Sequence, residues 1–154
     1  MYSEIIQMLK TKEETYQILD EVDLLLKTIY HYSTMYDEVL NNDIRKWVKD
    51  MVTNEMEKEK IGKEDYYKGL KEAIDKLKVL DLTISFEPTG SAVDHISFWV
   101  KENLGEEIII NFIHDPKIIA GATISYNGRY LDLSLLEKFN QSFKEISENI
   151  IQQI

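Results

Sequence analysis

The sequence predicts an α + (α+β) protein, with an N-terminal helical bundle over residues 1–80 followed by a small β-α-β-β-β-α domain over residues 81–154. Three observations carry this reading. Residues 1–80 contain only two glycines, Gly62 and Gly69, and no proline, and their apolar side chains recur at helical spacing. At Asp81 the period changes, and "LTISF" alternates with Leu82, Ile84 and Phe86 on one side and Thr83 and Ser85 on the other. Further on, Asn127-Gly128 separates "ATISY" from "RYL". That dipeptide suits a two-residue type I′ hairpin, whose central positions both need positive φ.

The elements follow in order. Thr11 and Glu14 have capping-box spacing, opening a helix whose stripe reads Tyr16, Leu19, Val22 or Asp23, Leu26, and Ile29 or Tyr30. A second helix is expected over 37–52, with Val39, Leu40, Ile44, Trp47, Val48 and Met51 inward, and a third over about 63–79 through Tyr66, Leu70, Ala73 or Ile74, and Leu77. Between them "NEMEKEKIGKED" is a mixed-charge segment, either a solvated helical turn or a loop.

After the strand at 82–86, Glu87-Pro88-Thr89-Gly90 has turn chemistry. Ser91 and Asp94 have the spacing of another capping box, and Val93, Ile96, Val100 and Leu104 stripe a helix that stops at Gly105. "EEIIINFI" is a β-branched strand, and the hairpin follows. Ser134 and Glu137 then open a closing helix with the stripe Leu136, Phe139, Phe143, Ile146, Ile150 and Ile154.

Charge narrows the function. With 28 acidic and 18 basic side chains the net charge is -10, and both halves are acidic, which disfavours a groove for nucleic-acid phosphates and an anionic lipid surface. There is no cysteine, so disulfide and thiolate chemistry are excluded. No basic stretch precedes an apolar one at the N-terminus, and no apolar run approaches a membrane span. A soluble, cytoplasmic protein is expected.

The catalytic constellations fail one by one. His31, His95 and His114 are dispersed, with no pair at the three- or four-residue spacing of a helical metal site. His114-Asp115 has no nucleophile in a motif context, and Asp115 before Pro116 reads as turn-forming. Glu106 and Glu107 are adjacent, so on a strand they point to opposite faces and cannot converge as an acid-base pair. Gly121 and Gly128 lack the lysine and spacing of a phosphate loop. Gly121 inside a strand suggests a bulge or the close approach of a neighbouring backbone. The aromatics Tyr30, Tyr32, Tyr36, Trp47 and Trp99 lack the basic interleaving of a base-stacking surface. No enzyme activity, cofactor or metal is expected. The closing stripe of Phe139, Phe143, Ile146, Ile150 and Ile154 instead suggests contact, with a partner helix or with the chain's own helical half.

The stretch "DPKIIAGATISYNGRYLDLS" resembles the C-terminal region of the delta subunit of F-type ATP synthases, called OSCP in mitochondria. That family carries an Asp-Pro, two aliphatics, a Gly-Gly pair, a strand, a glycine turn and an Asp-x-Ser that leads into the closing helix. In this sequence these fall on Asp115 and Pro116, Ile118 and Ile119, Ala120 and Gly121, Gly128, then Asp132 and Ser134, with Ala120 replacing the first glycine of the pair. The helical half is about a quarter shorter than the family's six-helix domain.

The resemblance implies a non-catalytic peripheral-stalk subunit on the cytoplasmic face of an energy-transducing membrane. It would link the b subunit to the alpha and beta subunits of the head and resist rotor torque. The helical half would grip the N-terminal segments of alpha, and the 81–154 half would face the stalk. Asp115, Pro116, Gly121, Gly128, Asp132 and Ser134 would shape the fold. Two other readings stand beside it: the stalk E subunit of V- or A-type ATPases, disfavoured by breaks near Ser33-Thr34 and Gly62, and a freestanding helix-binding adaptor.

Overall fold

The computed structural model describes residues 2–118 and 120–135. Among these are six α-helices and a four-stranded mixed sheet, an α+β architecture. The helices are α1 (Ser3–Met8), α2 (Lys12–His31), α3 (Tyr36–Asn42), α4 (Lys46–Glu59), α5 (Lys63–Asp75) and α6 (Gly90–Leu104). The strands are β1 (Lys78–Ile84), β2 (Ile108–His114), β3 (Ala122–Tyr126) and β4 (Arg129–Asp132), and α6 lies between β1 and β2 in sequence. The chain divides into two compact units, Met1–Lys78 with Ser97–Ile109, and Val79–Ile96 with Ile110–Ile154.

In the first unit α2 begins as its sequence dictates. Thr11 Oγ1 accepts from the Glu14 amide, and the Glu14 carboxylate accepts from the Thr11 amide, each at 3.2 Å. The buried face of α2 is Thr15, Ile18, Val22, Leu25 and Thr28. Of the expected stripe, Val22 is buried and Leu19, Leu26 and Ile29 are partly buried against the core, whereas Tyr16 and Tyr30 are exposed. Lys12 lies over the Tyr16 ring, and Tyr30 Oη donates to Glu64 at 2.6 Å.

The expected helix over 37–52 is two helices. The chain breaks at Asp43–Arg45, and Arg45 binds the Glu21 carboxylate with both Nε and Nη2, at 2.8 and 2.9 Å. A charge-assisted fork of this kind fixes the break more firmly than one neutral bond would. The third helix ends at Asp75, not near 79, and the strand starts at Lys78 rather than at 82. The β-branched Val79 therefore belongs to β1. Val22, Leu25, Val48, Val52, Tyr66, Tyr67 and Leu70 of this unit are fully buried.

The sheet runs in the order β2-β1-β3-β4. The Lys78 amide donates to Glu107 O and the Asp115 amide to Ile84 O, so β1 and β2 run parallel, as a strand-helix-strand crossover requires. β3 is antiparallel to β1 and to β4, with Leu82 opposite Ile124 and Ile124 opposite Leu131. On the other face Thr83 is opposite Thr123, and Thr123 opposite Asp132. Leu80, Leu82 and Ile84 are buried, but Phe86 lies past the strand end and is 57% exposed.

Two further expectations are corrected. Helix α6 is capped two residues before Ser91, by Thr89, whose hydroxyl accepts from the Ala92 amide and whose carbonyl accepts from the Val93 amide. Leu104 of the expected α6 stripe is exposed, whereas Val100 is buried. The Asn127-Gly128 turn has φ of 50° and 73°, both positive as type I′ demands.

Candidate interaction site

A groove of about 400 Å³ lies in the first unit, between α1 and α5. Helix α5 supplies Gly69, Glu72 and Ala73, and Lys76 and Leu77 follow directly after its last residue. Helix α1 brings Ile6 and its preceding residue Tyr2, and Glu107 completes the lining. Ile6, Ala73 and Leu77 make the lining partly apolar, while Glu72, Lys76 and Glu107 supply charges. An apolar strip with charges beside it can take an apolar segment with polar flanks.

The groove's shape depends on a packed tyrosine. A Cβ at Gly69 would overlap the Tyr2 hydroxyl and lie 3.0 Å from Tyr2 Cζ, so glycine is what lets Tyr2 sit against α5. Tyr2 is buried, and its ring centroid is 5.3 Å from that of Tyr66. Its hydroxyl has no hydrogen-bond partner among the described residues. Burial pushes that hydroxyl above the usual phenol range, and the carboxylates of Glu55 and Glu72 add to the rise.

Beneath it Glu55 is buried. It accepts from Tyr66 Oη at 2.7 Å and from the Tyr2 amide at 3.3 Å. Burial raises Tyr66 and Tyr67 far above the phenol range, and the hydrogen bonds to Glu55 and Tyr36 respectively add to it. These hydroxyls stay protonated, and that of Tyr66 donates to the buried Glu55 carboxylate. Tyr67 and Tyr36 share a bond of 2.7 Å, and Lys63 lies 3.7 Å from the Tyr36 ring centroid.

The motif residues Asp115, Pro116, Gly121, Gly128, Asp132 and Ser134 all lie in the second unit. Asp115 Oδ1 accepts from the Lys117 amide at 2.9 Å while Asp115 O accepts from the Ile118 amide, making a turn with Pro116 at its second position. Gly121 has φ 94°, and a Cβ there would be driven into Leu133 O and to 2.9 Å from Ser134 Cα. The backbone therefore approaches there as closely as glycine allows. Asp132 Oδ1 accepts from the Ser134 amide at 2.8 Å, and hydrogen bonds from Ser134 hold its carboxyl below the usual range.

A shallow depression of about 280 Å³ brings Asp115, Asp132 and Ser134 together with Lys117 and Tyr130. Both of its carboxylates are engaged by backbone amides. The closing helix expected after Ser134 and its stripe of Phe139, Phe143, Ile146, Ile150 and Ile154 lie outside the described residues.

The remaining candidates stay apart. His114 Nε2 lies 3.2 Å from Ser85 O, and among the described residues no three His, Cys, Asp or Glu side chains are grouped to hold a metal. Trp99 is exposed on α6 beside Phe98, and Tyr30 and Tyr32 are exposed at the end of α2. No helix among the described residues is long and apolar enough to cross a membrane.

Sequence reasoning missed α1, Tyr2 and the groove. Six residues are too few for a periodic signal, and Gly69 carried the only hint, as a glycine inside an otherwise regular helix.

The groove and its lining lie in the helical unit, apart from the turn-rich motif of the second unit. The chain matches the family model described as ATP synthase delta (OSCP) subunit over residues 2–146, nearly its whole length, and it belongs to that family, a structural component of the peripheral stalk. A search of curated proteins gave no significant match.

Proposed function

We propose that this chain joins the b-subunit stalk to the alpha/beta head of an F-type ATP synthase and resists rotor torque during proton-driven synthesis. It acts at the cytoplasmic face of the energy-transducing membrane, held there through the complex. Residues 1–80 act as a helical bundle that faces the head, and residues 81–154 as a β-α-β-β-β-α domain that faces the stalk.

The α1–α5 groove carries the reading. Its lining of Ile6, Ala73 and Leu77 suits an apolar side of a helix, and the resemblance supplies the occupant, an N-terminal segment of alpha. The fold-shaping positions Asp115, Pro116, Gly121, Gly128, Asp132 and Ser134 hold the other half rigid enough to transmit load. Phe139, Phe143, Ile146, Ile150 and Ile154 are the stripe assigned to the stalk partner or to the chain's other half.

The test is a pull-down of the tagged full-length chain against detergent-solubilised membranes of its own organism. Alpha, beta and b subunits should co-purify. Ala73→Glu, which places a charge in the groove lining, should lose alpha and beta while b is retained. Absence of all three from the eluate, with all three present in the input, would overturn the proposal.

A further inference from the structure

We infer that Lys101 is a positioning residue for the groove, fixing α1 as its wall by gripping the carbonyl end of that helix. The inference deepens the docking reading above and rests on it for its functional consequence.

Helix α1 has six residues and would not persist by itself, since so short a helix does not recover its nucleation cost. Its last turn holds no basic residue of its own, and its N-cap offers no side-chain bond. Both ends are instead met from elsewhere in the same compact unit. Lys101 Nζ donates to Ile6 O at 2.9 Å and to Gln7 O at 2.6 Å. Gln7 Nε2 donates to Glu106 at 3.2 Å, a second tether to the same stretch of chain. At the opposite end the buried Glu55 carboxylate accepts from the Tyr2 amide at 3.3 Å. Each sign suits its end, a cation on the carbonyl terminus and an anion on the amide terminus of the helix dipole.

Two features make Lys101 more than a packing residue. Its partner Ile6 lines the groove, so the ammonium fixes the backbone of a groove residue directly. Lys101 is also half-buried, and burial pushes it below the usual lysine range, opposed by Glu106. An apolar side chain would occupy that place without such a desolvation cost. What it could not do is bridge two helix-end carbonyls.

The experiment compares Lys101→Met and Lys101→Arg in the full-length chain. Two quantities are read: amide hydrogen exchange of Ile5, Ile6 and Leu9 relative to α2, and affinity for the purified alpha/beta head of the same organism. Lys101→Met should speed exchange of those amides roughly tenfold or more, the scale of losing charge-assisted bonds, with α2 unchanged. It should weaken head binding by about as much, and Lys101→Arg should restore both. If Lys101→Met does not fold, Lys101→Gln, which keeps one donor, is read the same way with a smaller change.

Unchanged exchange in a folded variant would overturn the clamp. Faster exchange with unchanged head affinity would overturn its role in docking. Failure of the unaltered chain to bind the head would remove the docking reading and this residue's part in it, while the exchange data would still judge the clamp.

Discussion

The two compact units hold themselves together by different means. Among the described residues, the largest side chains wholly shut off from solvent belong, all but Ile110, to the helical unit, where Tyr66, Tyr67, Ile18, Leu25 and Leu70 share one core. Every residue of β3 is only half-buried, and β4 is exposed over Arg129–Leu131. What defines that region is backbone geometry, with positive φ at Gly121, Asn127 and Gly128 and side-chain-to-amide bonds at Asp115 and Asp132. Among the described residues, the first unit is marked by buried volume and the β3–β4 region of the second by turns. A unit that offers a docking groove gains from a dense core, which keeps the groove walls at a fixed spacing.

The largest effect expected from this contrast is a cavity in the helical core. Leu70→Ala removes a fully buried side chain on the helix that supplies Gly69, Glu72 and Ala73 to the groove. It should cost about 2–5 kcal/mol in urea unfolding followed by far-ultraviolet circular dichroism. A loss below about 1 kcal/mol would mean the helical unit is not organised by packing around α5, and the comparison would fail.

The second unit should break at its backbone. Gly121→Ala meets both a disfavoured φ of 94° and the Leu133 carbonyl, so roughly 1–3 kcal/mol of strain is expected with steric overlap added to it. Gly128→Ala meets only the φ of 73°, with open space around the new methyl, and should cost roughly 1–2 kcal/mol. Amide exchange over Ala122–Tyr126 should accelerate more for the first than for the second, with α2 unaffected in both. Equal effects would show that conformation alone governs Gly121 and that the close approach of Leu133 does not.

The same contrast explains what was legible in the sequence. Local chemistry read well: the Thr11–Glu14 box, the Asn127-Gly128 turn and the helix stop at Gly105 each depend on a few neighbouring residues. Phase and boundaries read less well where tertiary bonds decide them. The expected stripe of α2 took in Tyr16 and Tyr30, which are exposed, because tyrosine counts as apolar in a periodic pattern. The break at Asp43–Arg45 needs Glu21, more than twenty residues away, to hold it. The groove was least legible, because α1 is stabilised by Glu55 and Lys101 and nothing within its own six residues announces it. The motif at 115–134 pointed to the family, yet the candidate site lies in the other unit, where the sequence offered only a glycine within a helix.

The smallest effect expected is a pH dependence confined to the turn after β4. The Asp132 carboxyl is held below its ordinary 3.8 by hydrogen bonds from the Ser134 side chain and amide. Its folded-state pKa is thus lower than its unfolded one, and the unfolded chain binds the proton more readily. The stabilising contribution is therefore complete above about pH 3.8 and is lost as pH falls through the lower folded value. Titration of the Ser134 amide resonance from pH 6 to 2, outer limits of roughly two units either side of an ordinary carboxyl, should show a midpoint below 3.8. Asp132→Ala should abolish that step while leaving the Tyr66 and Tyr67 resonances unmoved, since those phenols remain protonated throughout. A midpoint at or above 3.8 would mean the Asp132–Ser134 bonds do not persist in solution. The second unit would then lose one of the two side-chain devices that distinguish it from the first.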